Sequence, residues 1–173
     1  MKKYAKDSWK GSGLGGSGMV ELQSECMIGA NYTFNSRFNN SPGTNSEELL
    51  AAAHASDFTM KLSYILTEAG FVPLELNTTC FVDFDKGELV SSTLNVAAKI
   101  TGIKLCVFNN FVKEANENCP ISNALCIRVS IETTICLSKK KDLKLATALS
   151  QGVMPLQKIN KTLLSWFKPK SLS

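Results

Sequence analysis

Gly43-Thr44-Asn45-Ser46-Glu47-Glu48-Leu49-Leu50-Ala51-Ala52-Ala53-His54-Ala55-Ser56-Asp57-Phe58-Thr59-Met60 is the stretch that decides the fold. It reads as the start of one long helix that runs on to about Ala69. Thr44 or Asn45 caps it, with Glu47 or Glu48 three residues on, in the pattern of a capping box. Gly70 closes it just past the last turn. Leu49, Leu50, four alanines, Phe58, Met60, Leu62, Ile65 and Leu66 make it apolar on most sides, so a buried helix is expected. Asp57 stands in its middle. A carboxylate in that setting must find a partner or carry a large desolvation cost.

Toward the N-terminus, Tyr4–Trp9 and Met19–Ile28 read as strands, the second alternating Val20 and Leu22 and, less cleanly, Cys26 and Ile28. The glycine-rich residues 11–18 between them form either a flexible linker or the turn of a hairpin. No helix follows them, as a phosphate loop would require. Tyr32-Thr33-Phe34 is a short candidate strand, leading through Asn35-Ser36-Arg37-Phe38 into a loop. Toward the C-terminus, Leu74–Asp85 and Glu88–Thr101 read as strands about the turn Asp85-Lys86-Gly87. Lys104–Asn118 places Leu105, Phe108, Phe111, Val112 and Ala115 at helical spacing. Cys119-Pro120 opens a short helix over Ile121–Leu125, and Arg128–Leu137 alternates as a last strand. Helices and strands mix without a regular βαβ repeat. The expected class is therefore α+β, an antiparallel sheet packed on a long central helix.

Composition narrows the function. At 173 residues the chain has the length of one domain, or one domain with an appendage. No run of about 18 apolar residues exists, so no membrane-spanning helix is expected. Met1–Trp9 has charge but no apolar core after it, unlike a secretory signal; a cytoplasmic protein is expected. The six cysteines, at 26, 80, 106, 119, 126 and 136, contain no CxxC pair. They read as neither a disulfide framework nor a zinc site, and most are expected to be reduced and buried. The charge is uneven. Residues 139–173 hold eight Lys and one Asp, a net +7, whereas the other 138 residues hold 11 basic and 14 acidic groups, a net −3. The mildly acidic body gives no reason to expect nucleic-acid binding. The division expected is a domain over 1–138 and a basic extension over 139–173. Within the extension, Asp142–Gln151 reads as a short helix and Leu156–Phe167 as a basic amphipathic one. The latter docks on the domain or a partner subunit, or contacts a membrane surface or another protein.

Four separated segments resemble the OsmC/Ohr family, and its OsmC branch more closely. They are Asn35-Ser36-Arg37-Phe38, Gly43 through Ala55, Leu66-Thr67-Glu68-Ala69-Gly70-Phe71, and Asn118-Cys119-Pro120-Ile121-Ser122, in a match over about residues 4–138. The resemblance implies a thiol peroxidase that reduces organic hydroperoxides. It implies an intertwined homodimer with sites at the subunit interface. It implies no bound cofactor, the electrons coming from an external dithiol or a lipoylated protein. Carried over residue by residue, Arg37 is the arginine that stabilises the thiolate, Glu47 the glutamate that holds it, and Cys119 the resolving cysteine. The position of the peroxidatic cysteine is Asp57. The implied function is a protein of oxidative-stress and organic hydroperoxide defence whose peroxidase step is lost or impaired.

Elementary chemistry points the same way. A thiolate attacks a peroxide, and an aspartate has no sulfur to oxidise. Asp57 can instead supply the negative charge that Arg37 is built to meet. Glu47 and Asp57 are ten residues apart, about 15 Å along a continuous helix, too far to touch. Cys119 stands at a helix start, where free amides favour a thiolate; otherwise it is a small buried residue. His54, the lone histidine, reads as a core residue before it reads as a base. Trp9 and Phe38 belong either to the core or to the lining of a hydroperoxide pocket. The alternative function is a non-catalytic binding module, which holds an apolar small molecule in that pocket or an anionic partner on the basic tail.

Overall fold

A computed structural model describes residues 1–39 and 41–137; the two helices expected after residue 139 lie outside the described residues. The chain divides into two compact units, with the boundary inside the long helix after Leu50.

In the first unit, β1 (Ala5–Lys10) and β2 (Ser17–Leu22) pair antiparallel with Lys10 opposite Ser17. The glycine-rich segment is therefore the turn of a hairpin. The second strand ends earlier than its alternation suggests. The Leu22 N–H turns back to the Met27 carbonyl and Glu25 takes φ +60, which ends the ladder. β3 (Ala30–Thr33) adds to β2. A short helix not expected from the sequence follows, α1 (Phe34–Phe38). Its cause is local. Thr33 Oγ1 accepts the Ser36 N–H at 3.0 Å and Ser36 Oγ accepts the Thr33 N–H at 2.9 Å, a reciprocal cap. Ser36 Oγ also donates to the Thr44 carbonyl at 2.9 Å, which ties α1 to the segment ahead of the long helix.

The long helix, α2, spans Ser46–Glu68. Asn45 caps it, its Oδ1 accepting the Glu48 N–H at 2.8 Å. At the other end Gly70 takes φ +85, so that the Phe71 N–H reaches the Leu66 carbonyl at 2.8 Å.

In the second unit, α2 buries His54, Phe58, Lys61, Leu62, Ile65 and Leu66. These recur three and four residues apart and form one stripe. The expected burial on most sides does not occur, because this unit's core covers that stripe alone. Ala52, Ala53, Ser56 and Met60 on the other faces are exposed. Leu94, Val96, Ala98 and Ile100, alternating along β5 (Glu88–Ile100), join the helix stripe in the core, with Phe108, Val112 and Ala115 of α3 (Leu105–Glu117). Each fully buried Leu, Ile, Val or Phe of this set contributes about 1.5–3 kcal/mol, the alanines less. β4 (Glu75–Asp85) pairs antiparallel with β5 through a tight turn in which Lys86 and Gly87 take φ +49 and +92, the conformation that a two-residue hairpin favours. β6 (Arg128–Leu137) pairs on the other side of β5, and this pairing is parallel. The α+β class stands, with antiparallel pairings in both sheets, but this one ladder departs from the expected pattern. The reason is the crossover: α3 and α4 (Pro120–Ala124) carry the chain back to the end of the sheet where β5 began.

Candidate active site

The first unit brings Arg37 and Glu47 together. The α1 cap and the Ser36–Thr44 bond set Arg37 on the last turn of α1, and the Asn45 cap sets Glu47 in the first turn of α2. Arg37 Nε donates to both Glu47 oxygens at 3.1 Å, and Nη2 donates to Oε1 as well. Such forked pairing fixes orientation as well as charge. Burial pushes the Glu47 carboxyl up, but the Arg37 hydrogen bonds and charge outweigh it, and the net direction is down. The guanidinium also lies 5.3 Å from the centre of the Phe38 ring. Trp9 and Phe38 do line a common cavity, with Tyr32, Phe34 and Arg37, of about 210 Å³.

The second unit brings Asp57 and Cys119 together. Cys119 is the cap residue of α4 and is wholly buried. Its Sγ donates to Asp57 Oδ2 at 3.0 Å, and the Ile121 N–H donates to the same oxygen at 3.2 Å. The half-buried carboxylate thus has its partners on the helix that carries the thiol. Arg37, the partner expected from sequence, engages Glu47. Nor does the start of α4 favour a thiolate. Burial pushes the Cys119 thiol up, the Ser122 hydrogen bonds work against this, and Asp57 adds to the rise. The thiol is a donor to a carboxylate and is poorly set up to attack anything.

Two buried groups complete the site. His54 is fully buried, its Nδ1 2.8 Å from Ser92 Oγ and its Nε2 2.8 Å from Ser122 Oγ. Hydroxyls donate or accept, so both ring nitrogens are satisfied in either tautomer. Burial holds the imidazole below its usual range, against the pull of Asp57. This is the core histidine that the sequence suggests, and its role is structural, since it ties α2 to β5 and to α4. Lys61, only 3 % exposed, is a group that the sequence reading does not single out. Burial lowers its ammonium, while Glu114, Asp57 and Cys119 act electrostatically to raise it. Its signal is the spacing: Lys61 follows Asp57 by four residues, which puts both on one side of the helix. Ser92, a polar residue on the inward face of β5 that Leu94, Val96, Ala98 and Ile100 continue, is a second signal. Cysteine burial departs from expectation. Cys26, Cys106 and Cys126 are exposed, and only Cys119 is buried among the five thiols described as free.

Fold and site together define a mixed α+β scaffold in which a helix-cap cysteine faces a residue of the long helix. The chain belongs to the OsmC-like protein family, whose model matches residues 38–134. It is 35% identical over 134 residues to the peroxiredoxin OsmC of Escherichia coli, a match covering 75% of this chain and 94% of that protein. Among solved structures, an OsmC-like protein from Mycoplasma pneumoniae superposes with a TM-score of 0.64 at 10% identity, covering 78% of this chain and 97% of that one. An organic hydroperoxide resistance protein OsmC from Legionella pneumophila does so with a TM-score of 0.58 at 20% identity, covering 79% and 98%. At such identities these two likenesses speak for the fold.

Proposed function

We propose that this is an OsmC-family protein of organic hydroperoxide defence in which the peroxidase step is switched off at residue 57. The observation that carries this reading is the hydrogen bond from Cys119 Sγ to Asp57 Oδ2. In the family's cycle the residue opposite the resolving cysteine is the one that becomes a sulfenic acid. Here a carboxylate accepts the thiol's proton-bearing side and the adjacent Ile121 amide. The pair is a permanent imitation of an oxidised site, and it cannot turn over. The test is reduction of cumene hydroperoxide with a dithiol as electron source. The chain as it stands should show no turnover above the uncatalysed rate. Fast turnover would overturn the reading.

The same reading includes a homodimer. It is supported by the exposed face of α2, with Ala52, Ala53, Ser56 and the 53 % exposed Met60. Light scattering measures it, and a monomer at all concentrations would count against it. The aromatic cavity beside Arg37 favours a second role, the binding of an apolar small molecule without chemistry. A shift of the Trp9 indole resonance on adding a fatty acyl ligand would support that role.

A further inference from the structure

The glycine-rich turn of the first hairpin is a sequence motif that neither charged pair uses. The register of the first sheet gives it a use. Trp9 of β1 and Tyr32 of β3 both stand opposite Gly18 of β2, and so lie on one face of the sheet. Their strands are not neighbours and run about 9–10 Å apart across β2. With no side chain on Gly18, the two rings lean together over it, their centroids 5.4 Å apart. A methyl group at Gly18 would overlap the Tyr32 ring, and one at Gly16 would come within 2.8 Å of Trp9 Nε1. The glycines thus leave the space in which an aromatic wall forms.

The polar ends of both rings are already engaged. Trp9 Nε1 donates to the Gly11 carbonyl at 3.1 Å, and the Tyr32 hydroxyl donates to Asp7 Oδ2 at 3.0 Å. What the wall offers the cavity beside it is therefore ring surface. Phe34 and Phe38, with centroids 4.6 Å apart, line the same cavity. Thr33 and Asn45, also in its lining, have their side-chain oxygens committed to helix-cap N–H groups. Trp9, Phe34 and Phe38 are each 37 % exposed or more, and a cluster of exposed rings of this kind marks a binding surface. Size then narrows the ligand. A dry cavity of about 150 Å³ holds benzene. This one, at about 210 Å³, has room for a single ring with a short side arm. A fused pair of rings or a long acyl chain would leave much of its surface in water.

We propose that this cavity takes a small, one-ring aromatic molecule, and that Tyr32, seated over Gly18, sets the size limit. Ring–ring contacts add to apolar burial, which favours an aromatic ligand over an aliphatic one of equal size. The inference rests on the reading of this cavity as a binding site and names the ligand class of that site.

NMR of the full chain, labelled with nitrogen-15 at tryptophan, tests it. The Trp9 indole N–H is assigned through Trp9→Phe, and the probes are benzyl alcohol, naphthalenemethanol and decanoate. Benzyl alcohol should shift the Trp9 resonance saturably, and the other two should bind about tenfold more weakly or worse. Tyr32→Phe keeps the ring and should keep this order. Tyr32→Ala should weaken benzyl alcohol and admit naphthalenemethanol, narrowing or reversing the order. Decanoate or naphthalenemethanol binding as tightly as benzyl alcohol to the unaltered chain overturns the inference, while the cavity stands as a binding site for another class. No saturable shift with any probe overturns both. An order that Tyr32→Ala leaves unchanged overturns the part assigned to Tyr32. Should that variant fail to fold, the order of the three probes on the unaltered chain still decides the ligand class.

Discussion

Helix α2 carries two carboxylates ten residues apart, and they live in different chemistry. Glu47 sits in the first turn, 15 % exposed, with a forked arginine that is itself 36 % exposed. Asp57 sits mid-helix against a wholly buried thiol, an amide and the field of a buried lysine. The first is a charge pair in reach of water, where screening limits what it contributes. The second is a polar knot inside a core, where each missing partner leaves another group stranded. The difference teaches that an acid's value is set by what it leaves behind when removed.

Substitution should separate the two. Asp57→Ala leaves the Cys119 S–H and the Ile121 N–H without their acceptor and should cost about 3 kcal/mol of unfolding free energy. Urea denaturation measures this, and a loss no greater than that of Glu47→Ala would break the contrast. His54→Ala comes next, at about 2 kcal/mol, because it leaves the Ser92 and Ser122 hydroxyls without their shared partner. The sign of the accompanying pH effect is fixed. The folded protein holds this imidazole below its unfolded range, so the unfolded chain binds the proton more readily. Stability from this group is present above about pH 6.5 and declines as pH falls below it. Denaturation midpoints at pH 7.5 and 5.5 should differ for the native chain, and His54→Gln should reduce that difference. Arg37→Gln should cost about 1 kcal/mol or less, and the cost should shrink in high salt. A salt-insensitive loss of several kcal/mol would place that pair with the buried class. The smallest effect is kinetic. A thiol reagent should label Cys26, Cys106 and Cys126 of the native protein readily, and Cys119 only on unfolding.

Much of this is legible in the sequence because local patterns carry it. The caps and Gly70 bound α2, alternation marks β5 and β6, and Pro120 directly after Cys119 marks the start of α4. The rest depends on contacts across the chain. The apolar count of α2 suggests burial on most sides, but only partners in space decide which stripe is covered. The parallel β5–β6 pairing depends on where the crossover delivers the chain, which alternation does not encode. Charge logic assigns Asp57 to Arg37, yet the geometry gives the carboxylate to an S–H and an N–H on α4. Lys61 is readable in principle from its spacing to Asp57. It does not stand out, because a single lysine in a long helix usually points to solvent.

The most direct measurement restores the sulfur. In Asp57→Cys, the new Sγ would stand one bond short of where the Asp57 oxygen now meets Cys119 at 3.0 Å. One equivalent of cumene hydroperoxide should then give a monomer two hydrogens lighter, with peptide mapping joining residues 57 and 119. A stable sulfenic or sulfinic acid at 57, with Cys119 still a free thiol, would contradict the account.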